Sequence, residues 1–105
     1  MINRIWHGWT TKANADTYEA LLKEEIFIGI EGMNIPGFHG IRLLRRDVGD
    51  EVEFVTIMTF DSLEAVRAFA GEDHEAAVVP ENAQAVLSHY DAKSQHYVVR
   101  VERTS

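Results

Sequence analysis

The stretch Glu51-Val52-Glu53-Phe54-Val55-Thr56-Ile57-Met58-Thr59-Phe60 constrains this chain more than any other. Its residues favour strand, and a strand sends successive side chains to opposite faces. Val52, Phe54, Met58 and Phe60 fall on one face, and Val55 and Ile57 fall on the other. A sheet covered on one side alternates apolar with polar residues, so apolar residues on both sides require cover on both. The last strand repeats the pattern, with Tyr97, Val99 and Val101 opposite Val98. Helices supply one cover. In a single domain of 105 residues, a second copy of the chain is the expected other one. Each apolar side chain buried there contributes roughly 1.5–3 kcal/mol, so a few suffice to hold a homodimer.

The rest of the sequence places elements around that strand. Ile2 to Trp9 reads as a first strand, with Arg4, Trp6 and Gly8 on one face and Ile5, His7 and Trp9 on the other. With an indole on each face, this strand belongs in mid-sheet, and Gly8 leaves room for a close approach. Asn14 or Asp16 caps a helix to about Ile28, with an apolar stripe through Tyr18, Leu21, Leu22 and Ile26. Pro36-Gly37 makes a turn, because proline presets one dihedral and glycine accepts positive φ at the next. Phe38 to Asp47 is the second strand, joined through Asp47-Val48-Gly49-Asp50 to the third. Asp61 and Glu64 have capping-box spacing, with Ser62 as the alternative cap, for a helix carrying Leu63, Val66, Phe69 and Ala70 and stopped by Gly71. Pro80 begins a short helix through Ala83, Val86, Leu87 and Tyr90. Gln95 to Glu102 is the last strand. The order is the α+β, ferredoxin-like βαββαβ pattern: an antiparallel sheet with helices on one face, residues 1–105 forming one domain.

Net charge is −7, and the one basic cluster, Arg42, Arg45 and Arg46, reads as a solvated strand end balanced by acids. An acidic domain without a basic stripe is a poor nucleic-acid binder. No apolar run is long enough to span a membrane. The chain has no cysteine, which removes thiolate catalysis, disulfides and thiolate metal sites. With no leader segment evident before the first strand, a cytoplasmic protein is expected.

Pro36-Gly37-Phe38-His39-Gly40-Ile41-Arg42-Leu43-Leu44-Arg45-Arg46 resembles the "PGF.G..LLRR" stretch of antibiotic biosynthesis monooxygenase-like domains of the dimeric αβ-barrel superfamily. Glu53-Phe54, Phe60-Asp61-Ser62-Leu63-Glu64-Ala65 and Phe69-Ala70-Gly71 are similar to that family's next segment, and Arg4-Ile5-Trp6-His7-Gly8 fits its small members. The resemblance implies a homodimeric αβ barrel with a pocket in each subunit between its own sheet and helices. It implies metal-free, flavin-free oxidation of aromatic molecules by O₂. The positions matching that branch's reactive residues are Thr56, Phe60, Val66 and Pro80, and none keeps the family's residue type. A haem-degrading sister branch maps near Trp6, Phe69 and Val78 or Val79, where the axial histidine is missing unless His74 replaces it. Fold alone does not carry function.

Histidine is the usual general acid or base near neutral pH. Of five histidines, His7, His74 and His96 are the candidate catalytic residues. Arg4, Trp6, Thr56 and Phe60 share the helix-facing side and are the candidate substrate-binding residues. No histidine pair has metal-ligand spacing, so neither a metal nor another cofactor is expected. Two functions follow from these residues. One is a cofactor-independent monooxygenase acting on a small aromatic or quinone-like molecule. The other is a non-catalytic dimeric domain that binds a small hydrophobic ligand or serves in stress response.

Overall fold

The structure, a computed structural model, describes residues 1–105. Strand β1 spans Ile2–Thr11. A continuous helical rod follows, made of α1 at Ala15–Leu21, a π-helical turn at Leu22–Ile26 and α2 at Phe27–Gly32. Strands β2 (Phe38–Val48) and β3 (Glu51–Phe60) form a hairpin, and α3 covers Leu63–Ala70. A short helix α4 at Glu81–Gln84 precedes strands β4 at His89–Tyr90 and β5 at Gln95–Val98. The sheet order is β2-β3-β1-β4, with β5 also on the β1 edge, and every pairing is antiparallel. The expected ferredoxin-like architecture is present. No helix is long and apolar enough to cross a membrane.

Several boundaries differ from the sequence reading for physical reasons. The first helix runs past Ile28 to Gly32, and its π turn inserts an extra residue that rotates Phe27 and Ile30 toward the sheet. Neither Asn14 nor Asp16 makes a side-chain cap; the Asn14 amide instead reaches the Val86 carbonyl at 3.4 Å. Ser62, the alternative cap, accepts the Ala65 N–H at 3.3 Å. Asp61 is diverted to His39, 2.5 Å away. Pro80 sits one position earlier than expected, as the N-cap, and α4 stops before Tyr90 because Ser88 donates to the Trp9 carbonyl and pulls the chain into β4. The last strand ends at Val98; the Val99 N–H still bonds the Met1 carbonyl, and nothing beyond it pairs in the sheet.

Two apolar cores form on the helix side. One joins Ala15, Tyr18, Leu22, Val52, Phe54 and Ala83. The other joins Met58, Phe60, Ala65 and Val66. Tyr18 meets Phe54 edge-on at 4.9 Å between ring centres, and Phe60 lies between Phe38 and Phe69. Gly37 locks the hairpin entry: its φ of +85° suits glycine, and a Cβ there would press on Ala65 and Asp61. The space between the two cores is not filled.

The open side of the sheet has an apolar middle and a charged end. Ile5, Ile57, Val55 and Leu44 lie in adjacent cross-strand rows. Next to them, Arg46, Glu53, Trp9 and His89 form a row of their own. Glu53 is buried, bonded to Arg46 at 2.7 Å and to His7 at 2.9 Å, and these hydrogen bonds, the Arg46 one first, hold its carboxyl below the usual range. Trp9 stacks on His89 at 4.5 Å, and His89 reaches Glu51 at 2.9 Å. Of the basic cluster, Arg45 also meets acids, Asp16 and Glu19 on α1.

Candidate functional site

The unfilled space is a cavity of about 60 Å³ between the sheet and the helical rod. Its floor is two neighbouring rows of the sheet. Thr56 lies opposite Trp6, and Met58 lies opposite Arg4, which in turn lies opposite His96. Tyr18, Leu22, Ile26 and Phe27 from the rod form the roof, and Phe69 and Val79 close the sides. The π turn supplies two of these roof residues, and such turns recur at functional sites because they re-aim side chains. Ile26, Ile30, Phe69, Val78 and Pro80 also border an outer vestibule of about 460 Å³. The inner space therefore adjoins the vestibule along an apolar border. The inner space is smaller than the roughly 150 Å³ apolar cavity known to take up benzene. An aromatic guest fits only if these bordering side chains move outward.

Arg4 is the polar centre of the site and is only 3 % exposed. Its Nη1 donates to the His74 carbonyl and, at 3.0 Å, to His96 Nε2. Its Nη2 donates to the Ala76 carbonyl at 2.8 Å. The guanidinium lies 5.6 Å from the centre of the Phe69 ring, a cation–π distance. An arginine only donates, so His96 Nε2 accepts and the His96 proton sits on Nδ1. Burial first, and then the neighbouring Arg4 charge, push the His96 pKa below its ordinary value, which keeps the ring neutral near pH 7. His74 packs edge-on against His96 at 5.1 Å, and both rings border an open groove on the far side. The Arg4–His96–His74 series thus runs from the inner cavity to solvent.

Trp6 forms the other end of the floor. Its Nε1 donates to the Asp91 carbonyl at 2.8 Å, and its ring lies over Gly8, where an added Cβ would come within 2.8 Å of it. The room expected at Gly8 is thus taken by the chain's own indole and by Leu87. Tyr18 lines the cavity as a neutral phenol, its pKa raised by burial.

Arg4, Trp6 and Thr56 are brought together in the cavity wall, and His96 stands beside Arg4. Phe60 shares their face but lies one row away, wholly buried in the second core under α3. His7 faces the open side of the sheet and pairs with Glu53. His74 lines the outer groove and is absent from the inner wall. No cluster of three or more His, Cys, Asp or Glu side chains is placed to hold a metal ion. Sequence reading missed Tyr18 and Ser94 as cavity residues, and it reached Phe69 only through the resemblance to the haem-degrading branch. The helical stripe did single out Tyr18 and Phe69, but as core; nothing marked Ser94.

No family model matches the sequence, and no curated protein sequence does either. Solved structures do match over nearly the whole chain. An antibiotic biosynthesis monooxygenase-type protein from Bacillus cereus superposes with a TM-score of 0.67 at 15 % identity, covering 99 % of this chain and 97 % of its own. The haem degrader MhuD from Mycobacterium tuberculosis, with two haems in its active site, gives a TM-score of 0.65 at 21 % identity, covering 99 % of this chain and 100 % of its own. The fold is that of antibiotic biosynthesis monooxygenase-like domains. A monooxygenase from the gene ActVA-Orf6 of Streptomyces coelicolor, holding nanaomycin D, agrees at a TM-score of 0.67 and 16 % identity over 99 % of this chain and 91 % of its own. Within this shared antibiotic biosynthesis monooxygenase-like fold, identities this low speak for architecture and leave the chemistry to the residues.

Proposed function

We propose that this chain is a monooxygenase of the antibiotic biosynthesis type, acting on a small aromatic or quinone-like molecule seated between sheet and helices. The observation that carries this reading is the cavity itself: aromatic and aliphatic walls meet one buried cation that is hydrogen-bonded to a neutral imidazole. Solved neighbours with the same fold include a monooxygenase in complex with nanaomycin D and a haem degrader with haem in its active site, which supports a small-molecule substrate.

The chemistry asked of the residues is modest. An activated methylene and O₂ give a carbonyl and water, with four electrons moving from carbon to oxygen and none required from a third party. The protein has to lower the cost of removing the first proton. Arg4 stabilises the resulting anion, and as it turns toward that charge it releases His96 Nε2, whose lone pair takes the proton. His74 and the open groove beside it pass the proton to solvent. Trp6 and the rod clamp the ring and exclude water.

The test is oxygen uptake by the purified protein with a panel of anthrones and hydroquinones. Uptake that is lost in Trp6→Ala and falls at least tenfold in His96→Ala, while His7→Ala retains it, supports the reading. A second reading is favoured by the small inner volume and by Thr56, Phe60, Val66 and Pro80 at the positions of the known branch's reactive residues: a ligand-binding domain without turnover. Thermal stabilisation by the same compounds with no oxygen uptake selects it.

A homodimer belongs to the same proposal. Leu44 is 43 % exposed and Tyr97 57 % exposed on the face that no helix covers, beside Ile5, Val55 and Ile57. A second copy laid on that face buries them. Sedimentation at micromolar concentration is expected to give twice 11.9 kDa, and Leu44→Asp is expected to return the single chain.

A further inference from the structure

Four lysine or arginine contacts to carboxylates and three histidine–carboxylate contacts join the side chains of this molecule, and none includes Arg4, the most deeply buried base. The chain has 17 acidic residues against 10 basic ones, yet no carboxylate makes an ion pair with this cation; Glu75, between the two residues whose carbonyls Arg4 holds, acts instead on the neighbouring His96. Backbone carbonyls, a neutral imidazole and the face of Phe69 solvate it partly. A buried charge without an opposite partner is costly to a fold. Of the five N–H donors that an arginine carries, three are engaged by protein acceptors, which leaves two. Arg4 also borders the cavity, whose other walls are almost wholly apolar apart from the hydroxyls of Tyr18, Thr56 and Ser94.

We infer that the counter-charge of Arg4 comes from the ligand: the cavity takes a flat apolar ring that bears one ionised oxygen acid, held against the two free Arg4 donors with the ring directed toward the vestibule. A neutral ring of equal size leaves the cation unpaired and gains only apolar contact. A carboxylate and the enolate oxygen of a hydroxyquinone share the chemistry required. The inference rests on the reading that the cavity is the ligand site, and it adds the substrate's charge.

The test is anaerobic binding to the intact protein, followed by calorimetry, with two matched pairs at pH 7. In one, 2-hydroxy-1,4-naphthoquinone, whose hydroxyl is ionised at that pH, is set against neutral 1,4-naphthoquinone. In the other, 2-naphthoate is set against 2-naphthamide. A preference of roughly tenfold or more for the anion in either pair supports the inference and names the head group, because hydrogen bonds to a charged group outweigh neutral ones by that order. In Arg4→Lys the preference is expected to shrink, since the charge stays and the fork is lost. Equal affinity for anion and neutral partner in both pairs of the wild-type protein overturns it, and that result does not depend on any variant folding. Anion preference without oxygen uptake sinks the oxygenase reading and leaves the anion site standing. Oxygen uptake with equal binding does the reverse.

Discussion

Glu53 and Arg4 are both buried charges on adjoining strands, one on each face of the sheet, and the chain satisfies them differently. Glu53 has the Arg46 cation and the His7 ring within hydrogen-bond reach. Arg4 has carbonyls and a neutral ring. On the open face the Glu53 charge is neutralised inside the chain by Arg46, while Arg42, opposite Ile57 in the apolar middle, has no ion-pair partner and a copy laid there must leave it a path to solvent. On the helix face a cation is left over, so the partner expected there is small and negative. The comparison separates the two proposals: a buried acid answered within the chain on one face, and a buried base left without an acid on the other.

Adjacent residues offer the strongest way to break that comparison. Phe54 and Val55 sit side by side on opposite faces. Phe54→Ala opens the first core and is expected to cost about 3–5 kcal/mol in denaturant unfolding. Val55→Ala is expected to cost about 1 kcal/mol or less in dilute single chains. A Val55→Ala cost that grows with protein concentration marks a covered face; a constant one leaves the face bare. Next in size is Gly8→Ala, whose new methyl collides with the Trp6 ring and is expected to cost about 1–3 kcal/mol through overpacking, with a shift of tryptophan emission.

Acidification separates the faces further, since both His96 and Glu53 have folded pKa values below their unfolded ones. Each therefore contributes stability that is full above its unfolded pKa and lost as pH falls through the folded one. For His96 the loss begins near the ordinary value of 6.5. For Glu53 it begins near 4.5. Melting curves of His96→Asn are expected to flatten the upper part of the acid limb, and those of Glu53→Gln only the lower part. The smallest effect is at Thr10, whose buried hydroxyl has no partner. Thr10→Val is expected to stabilise by up to about 1 kcal/mol, because it removes an unmet polar group without changing shape.

Alternation along two strands was enough to place Arg4, Trp6 and Thr56 on one face, and the helix stripes were enough to find the cores. What could not be read was register. Arg4 meets His96 because β1 and β5 pair with those residues opposed, and no periodicity encodes an alignment across ninety-two positions. The same limit misplaced Phe60, which has the right face and the wrong row. The π turn escaped detection because its residues also suit an ordinary helix, and β4 because a two-residue strand has no pattern of its own. Asp61 and Ser62 both had cap chemistry; the choice between them was made by His39, a residue on another strand.

Trp6 and Trp9 stand three positions apart on β1 and look in opposite directions, one into the cavity and one across the open face. The molecule thus carries its own pair of optical probes, one for each unfinished surface. With Trp9→Phe, emission reports arrivals between sheet and helices; with Trp6→Phe, it reports what settles on the other side. Quenching by iodide, read in each single-tryptophan form, distinguishes a guest from a twin without any added label.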